Sequence, residues 1–197
     1  MREDFWQHPR CLVAVFGGAG GLHDLLVPNL RRLIKRGAVA AAVMSGGMIL
    51  DGGTAAGVMD MIGSAISGCH PHAMRLLGIS PAQLVVKPGD KSADPNSSPL
   101  EPHHTNFVLV PSAEWGGETS TMFCFAAALH TQIPTVAVLA NGGMISKKEI
   151  LNAVRHKIPV VVIEGSGRLA DQVCCSCARA RGAPHTLTHT RHDLAHA

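Results

Sequence analysis

The chain has 197 residues, of which 46% are hydrophobic and 16% charged, the content of one globular domain rather than of a disordered chain. Its formal net charge of +3 is too small an excess for a duplex nucleic-acid groove, and 4% aromatics without a tyrosine argue against a stacking platform for single strands. No apolar run reaches the ~18 residues of a membrane span, and acids near Met1 stand where a secretory leader has its basic start, so the compartment expected is cytoplasmic, with no direct membrane insertion.

In chain order, residues 12–16 (LVAVF) form a short apolar run before a glycine cluster, and a stretch with helical spacing, 22–45, follows. The unit recurs. Residues 48–51 lead through Gly52, Gly53 and Thr54 into a helical pattern over 57–67; a further strand is expected at 74–79; residues 87–102, dense in Pro, Ser, Asp and Gly, are expected to form a surface loop or lid. Residues 106–110 precede Trp115, Gly116, Gly117, Glu118 and an apolar helix to about 130. Residues 135–140 precede Asn141, Gly142, Gly143 and a helix near 147–156, and residues 159–163 precede Gly165, Ser166, Gly167 and a helix from Arg168. Continuously apolar strands alternating with helices predict an α/β, Rossmann-like three-layer fold with a mostly parallel sheet. The expected organisation is a leader at 1–10, a domain at 11–172 and a low-complexity or disordered tail at 173–197.

Five strand ends carry glycine, and in a parallel sheet those ends share one edge, where open α/β sheets bind ligands. Glycine lets backbone approach a ligand, and each following helix presents its positive N-terminal end to phosphate. Standard nucleotide signatures are absent: His23 stands where a dinucleotide fingerprint has its third glycine, which argues against NAD, and no cofactor is expected. Residues 89–92 (GDKS) lack the order of a phosphate-binding lysine loop, and no G-x-S-x-G elbow occurs.

These motifs are similar to those of the SLOG superfamily, LSDAT branch, found in prokaryotic proteins and in the N-terminal cytosolic module of melastatin-type TRP channels. The resemblance rests on VAVFGGAGG (13–21), ILDGGTAAGVMDMIGSAI (49–66), LEPHHTNFVLV (100–110), WGGE (115–118) and IPVVVIEGSGRLAD (158–171). It implies a sensor domain for a nucleotide-derived anion, ADP-ribose-like or a nucleoside phosphate. The residues it implies as ligand-binding are Gly17 and Gly18 as a backbone platform, Gly52, Gly53 and Thr54 as phosphate or ribose contacts, and Gly116, Gly117 and Glu118 as an opposite wall. Gly165, Ser166, Gly167 and Arg168 resemble the family's final loop, with Arg168 the phosphate contact. Trp115 would stack on a base or anchor packing; Asn141, Gly142 and Gly143 belong to the converging rim. Ala55, Ala56 and Met122 depart from nucleotide-binding relatives and point to low affinity for a diphosphate.

Two alternatives stay open. GGTAAGVMD also resembles a phosphate loop of the Lonely-guy-type phosphoribohydrolases, which would make Glu118 a catalytic carboxylate with Asp51 and Glu164 behind it, although the longer signature of those enzymes is missing. The chain is also readable as the regulatory fragment of a channel-like protein, with a homo-oligomer or larger effector assembly as partner. The six cysteines are expected as free thiols. No metal site is expected, although Cys174, Cys175 and Cys177 precede His185, His189, His192 and His196 in the tail; His103 and His104 receive no catalytic role.

Overall fold

The computed structural model describes residues 8–18, 20–67, 74–90 and 94–180. Eight strands are present among them: β1 (Leu12–Gly17), β2 (Met48–Asp51), β3 (Arg75–Pro81), β4 (Val85–Val86), β5 (Ser98–Pro99), β6 (Asn106–Val110), β7 (Thr135–Ala140) and β8 (Val160–Val162). Six of them make one parallel sheet in the order β6-β3-β2-β1-β7-β8. The expected fold class is the observed one.

Alternation along the central strands divides the core. Leu12, Ala14 and Phe16 of β1, Met48 and Leu50 of β2, and Ala137 and Leu139 of β7 enter one apolar cluster; Val13, Val15, Ile49, Val138 and Ala140 enter another on the opposite face. The first face is covered by α4 (Thr119–His130), α5 (Met144–Arg155) and α6 (Arg168–Ala180), through residues such as Phe123, Ala153 and Leu169. The second is covered by α1 (Val27–Ile34), α2 (Ala40–Met44) and α3 (Gly57–Ser67), through Leu30, Ala42 and Ile62 among others. Apolar strands sealed on both faces are what a parallel sheet requires.

Four expectations are corrected. The stretch 22–45 is not one helix: a 3-10 turn (Asp24–Leu26) precedes α1, and a π-helical turn (Lys35–Val39) separates α1 from α2. Gly37 lies within that π turn, where its weak helix propensity lets the helix widen. Residues 87–102 are not wholly a surface loop, because β5 pairs with β4 and the segment ends in buried Leu100 and Glu101, with Thr54 bridging Leu100. Helix α5 begins at Met144, earlier than the lysine pair of its sequence suggested. Helix α6 runs through Cys174, Cys175 and Cys177 to Ala180, beyond the point where the tail was expected, because Leu169, Ala170 and Val173 still pack on the core. Residues 181–197, with His185, His189, His192 and His196, and Cys69 lie outside the described residues. Among the described residues Cys11, Cys124, Cys174, Cys175 and Cys177 are free thiols, and no helix is long and apolar enough to cross a membrane.

Candidate functional site

Strand order reverses between β1 and β7, since the chain builds outward from β1 through β2, β3 and β6 and then returns to β1's other side. That reversal parts the loops that follow the two strands and opens a crevice at their carboxyl ends. There lies a cavity of about 460 Å³. Of the residues expected at the site, Gly17, Gly18, Gly52, Thr54, Trp115, Gly143 and Arg168 line it.

The loops are fixed by hydrogen bonds to a single carbonyl. Gly20 O accepts from Asn141 Nδ2 at 3.1 Å and from Arg168 Nη1 at 3.0 Å, so the β1, β7 and β8 loops are joined over the crevice. Both donors occupy the left-handed region, Asn141 at φ 58° and Arg168 at φ 46°. An L-residue there costs of order 1–3 kcal/mol and persists only where its surroundings hold it. The surroundings are specific: Ser166 Oγ accepts the Asn141 N–H at 2.8 Å and donates to Ile163 O at 2.5 Å, and Asp171 in the first turn of α6 accepts the Gly165 N–H at 2.7 Å. Asn141, Ser166, Gly165 and Gly167 thus set the backbone from which Arg168 reaches across, and they are not among the residues that line the cavity. Arg168 is itself exposed and spends one of its five N–H donors on Gly20.

The β6 loop contributes less directly than expected. Glu118 Oε2 accepts the Gly116 N–H at 2.9 Å, and Gly116 sits at φ 95° against Ile145 of α5, so Gly116, Gly117 and Glu118 shape the turn that presents Trp115. Trp115 is half-buried, and its Nε1 donates to Asn96 O at 3.0 Å, which fixes the indole at the rim beside Ser98. Gly53 is a packing residue: a Cβ on it would meet Gly78 Cα at 2.8 Å, and its φ of 67° is one that L-residues rarely adopt. Gly142 lies at φ 87° over Ser146. Met122 is buried in the core beneath the crevice.

Sequence reasoning missed the acid of this cavity. Glu149 lines it from α5, where Ser146, Glu149, Ile150 and Ala153 share the buried face. Glu149 is 6% exposed and makes no hydrogen bond or ion pair with any described residue. Burial, reinforced by the charge of Glu118, pushes its carboxyl up to about 8. Glu118 is shifted upward as well, by burial, against the lowering effect of the backbone N–H groups it accepts from. The legible signal was an acid directly before Ile150 within the helix expected near 147–156, three residues on from Ser146, which lies outside that range and shares the buried face.

A second polar group was also missed, and it lies under the site rather than in it. His104 is buried between Asp51, whose Oδ1 is 2.8 Å from Nε2, and Glu101, whose Oε2 is 2.8 Å from Nδ1. Burial lowers the imidazole pKa, but the hydrogen bonds and charges of the two carboxylates outweigh it and raise His104 above 6.5. Asp51 Oδ1 also accepts the Gly53 N–H at 2.7 Å, and Glu101 N–H donates to Gly53 O at 2.9 Å. The cluster therefore fixes the β2 loop that carries Gly52 and Thr54 to the cavity. Asp51 is fully buried in these contacts and Glu164 is exposed, so neither stands in the cavity wall.

A parallel α/β sheet with its crevice at the strand-order reversal defines a Rossmann-like domain. The chain belongs to the family described as SLOG in TRPM, prokaryote, whose model matches residues 10–195. It is 27% identical over 202 residues to transient receptor potential cation channel subfamily M member 2 of Mus musculus, covering 84% of this chain and 13% of the channel. It is 28% identical over 201 residues to subfamily M member 7 of Homo sapiens, covering 87% of this chain and 11% of that one. The chain thus spans a small part of the curated relatives it matches. The X-ray structure titled TM1055 shares its fold, with a TM-score of 0.56 and 20% identity over 82% of this chain and 79% of that chain.

Proposed function

We propose that this chain is a ligand-sensing domain that binds a nucleotide-derived anion, ADP-ribose-like or a nucleoside phosphate, in the crevice between the β1 and β7 loops. The observation that carries the reading is the placement of Arg168 on that cavity, in a strained backbone conformation maintained by Asn141, Ser166 and the Gly20 carbonyl. A guanidinium presented from a rigid loop can form paired, charge-assisted hydrogen bonds to phosphate. Gly17, Gly18 and Gly143 bring half-buried backbone to the same cavity, and Trp115 supplies an aromatic face at the rim.

The phosphoribohydrolase alternative receives less support. Its carboxylate, Glu118, is 6% exposed, faces back to the Gly116 N–H and is not part of the cavity wall. Binding without turnover is therefore the expected behaviour, and a regulatory output fits the channel relatives. ADP-ribose, AMP and a cyclic nucleotide are the ligands to compare by thermal shift: one or more should raise the unfolding temperature, and Arg168→Ala should remove most of that rise. No shift with any of them contradicts the reading. Release of free base from AMP that Glu118→Gln abolishes would replace it with catalysis.

A further inference from the structure

Resting on that reading, we propose that Glu149 is the second anchor of the ligand: its carboxyl takes the hydroxyl pair of a ribose whose phosphate lies against Arg168.

Glu149 and Arg168 are the ionisable side chains that line the cavity among the described residues. Val15, Phe16, Met59, Met144 and Ile145 share the wall with them, so the acid and the cation stand in a largely apolar lining. A buried polar group ordinarily has a hydrogen-bonding partner, because leaving it without one costs its full desolvation. The Glu149 side chain is 6% exposed and makes no hydrogen bond to a described residue, and because its oxygens are not among the fully enclosed unpartnered atoms, what exposure it has opens on the cavity. Its place on the cavity wall leaves that partner to be supplied from the cavity, where a bound molecule can reach it.

The chemistry of the partner follows from the state of the acid. With its carboxyl pushed up to about 8, Glu149 is mostly protonated at neutral pH and can both donate and accept. A hydroxyl does the same, so a vicinal diol matches the carboxyl at both oxygens. Phosphate does not match it equally well, because the Glu118 charge that bears on Glu149 also repels an anion placed there. The ligand is thereby oriented, with phosphate toward Arg168 and sugar hydroxyls toward α5.

The test compares AMP, 2′,3′-dideoxy-AMP and pyrophosphate by isothermal titration calorimetry at pH 7 on wild type, Glu149→Leu and Arg168→Ala. Wild type should bind AMP at least roughly tenfold more tightly than the dideoxy analogue, the difference expected for buried hydroxyl contacts. Glu149→Leu should abolish that preference and leave pyrophosphate affinity unchanged, whereas Arg168→Ala should weaken all three. Equal wild-type affinities for AMP and its dideoxy analogue, or a preference that survives in Glu149→Leu, overturn the inference and leave the nucleotide reading standing. Absence of nucleotide binding overturns both. A Mg²⁺ requirement lost in Glu149→Gln also overturns the inference, by making the acid a cation ligand. Without ligand, Glu149→Leu should unfold at or above the wild-type temperature, since it removes an unpartnered acid; a fall of several degrees would assign Glu149 to the fold instead.

Discussion

Arg168 combines a backbone conformation unfavourable to arginine with a side chain directed over a cavity, and the two properties separate experimentally. Arg168→Gly relieves the left-handed strain while removing the guanidinium and its bond to Gly20. These effects oppose each other, so stability by chemical denaturation should change by no more than about 1 kcal/mol while nucleotide binding is lost. A large loss of stability would make the arginine structural. Glu149 offers a second residue-scale prediction. Its folded pKa of about 8 lies above the usual 4.5, so between those values the unfolded chain gives up a proton that the folded chain keeps. Its contribution is therefore fully present below pH 4.5 and is lost as pH rises toward 8. Stability should decline across that window, by at most about 1.4 kcal/mol per pH unit from this group. Glu149→Gln should flatten the decline in urea unfolding measured at successive pH values.

At the scale of elements, helix α3 lies against the buried acid of the neighbouring segment. A Cβ added at Gly63 would collide with the Glu101 carboxylate, which also bonds His104 and the His103 N–H. Gly63→Ala should consequently destabilise the fold by roughly 1–3 kcal/mol, the range for overpacking a core, and loosen the β2 loop. Removing His104 is the harsher change, since it leaves Asp51 and Glu101 as buried charges without their common partner; His104→Ala should cost about 3–5 kcal/mol in urea unfolding. Elements with continuous apolar runs, such as 12–16 and 135–140, were readable from sequence because strands sealed on both faces tolerate few polar residues. The start of α5 was not readable, because Met144 and Ile145 are turned toward the cavity and the Trp115 loop and carry no ordinary capping signal. The buried pairing of Asp51, Glu101 and His104 joins residues far apart in the chain, a contact that local spacing does not encode. Glycines marked the strand ends correctly, yet only tertiary packing shows what each one meets: a Cβ would press Gly53 on Gly78, Gly17 on Val58, Gly18 on Asn141 and Gly143 on Arg168, and the last three glycines also line the cavity.

For the molecule as a whole, Glu118, Glu149 and His104 act in one direction. Glu118 and Glu149 have raised carboxyl pKa values, and His104, raised above 6.5, contributes fully below that value and loses its contribution as pH rises through its folded pKa. The ligand-free protein should therefore have a higher unfolding temperature at pH 6 than at pH 9, a comparison accessible by calorimetry; a higher value at pH 9 would contradict the assigned ionisation states. The same architecture gives the domain its crevice: the sheet reverses order beside β1, the loops meet there, and Arg168 and Glu149 both line it. The most direct measurement is titration of wild type and Arg168→Ala with ADP-ribose and AMP, following binding heat. Saturable binding of at least one of them to wild type, weakened more than about tenfold in the variant, is the predicted result, as expected for loss of a charge-assisted phosphate contact. Equal binding by the two proteins, or none by wild type, would contradict the assignment of the crevice.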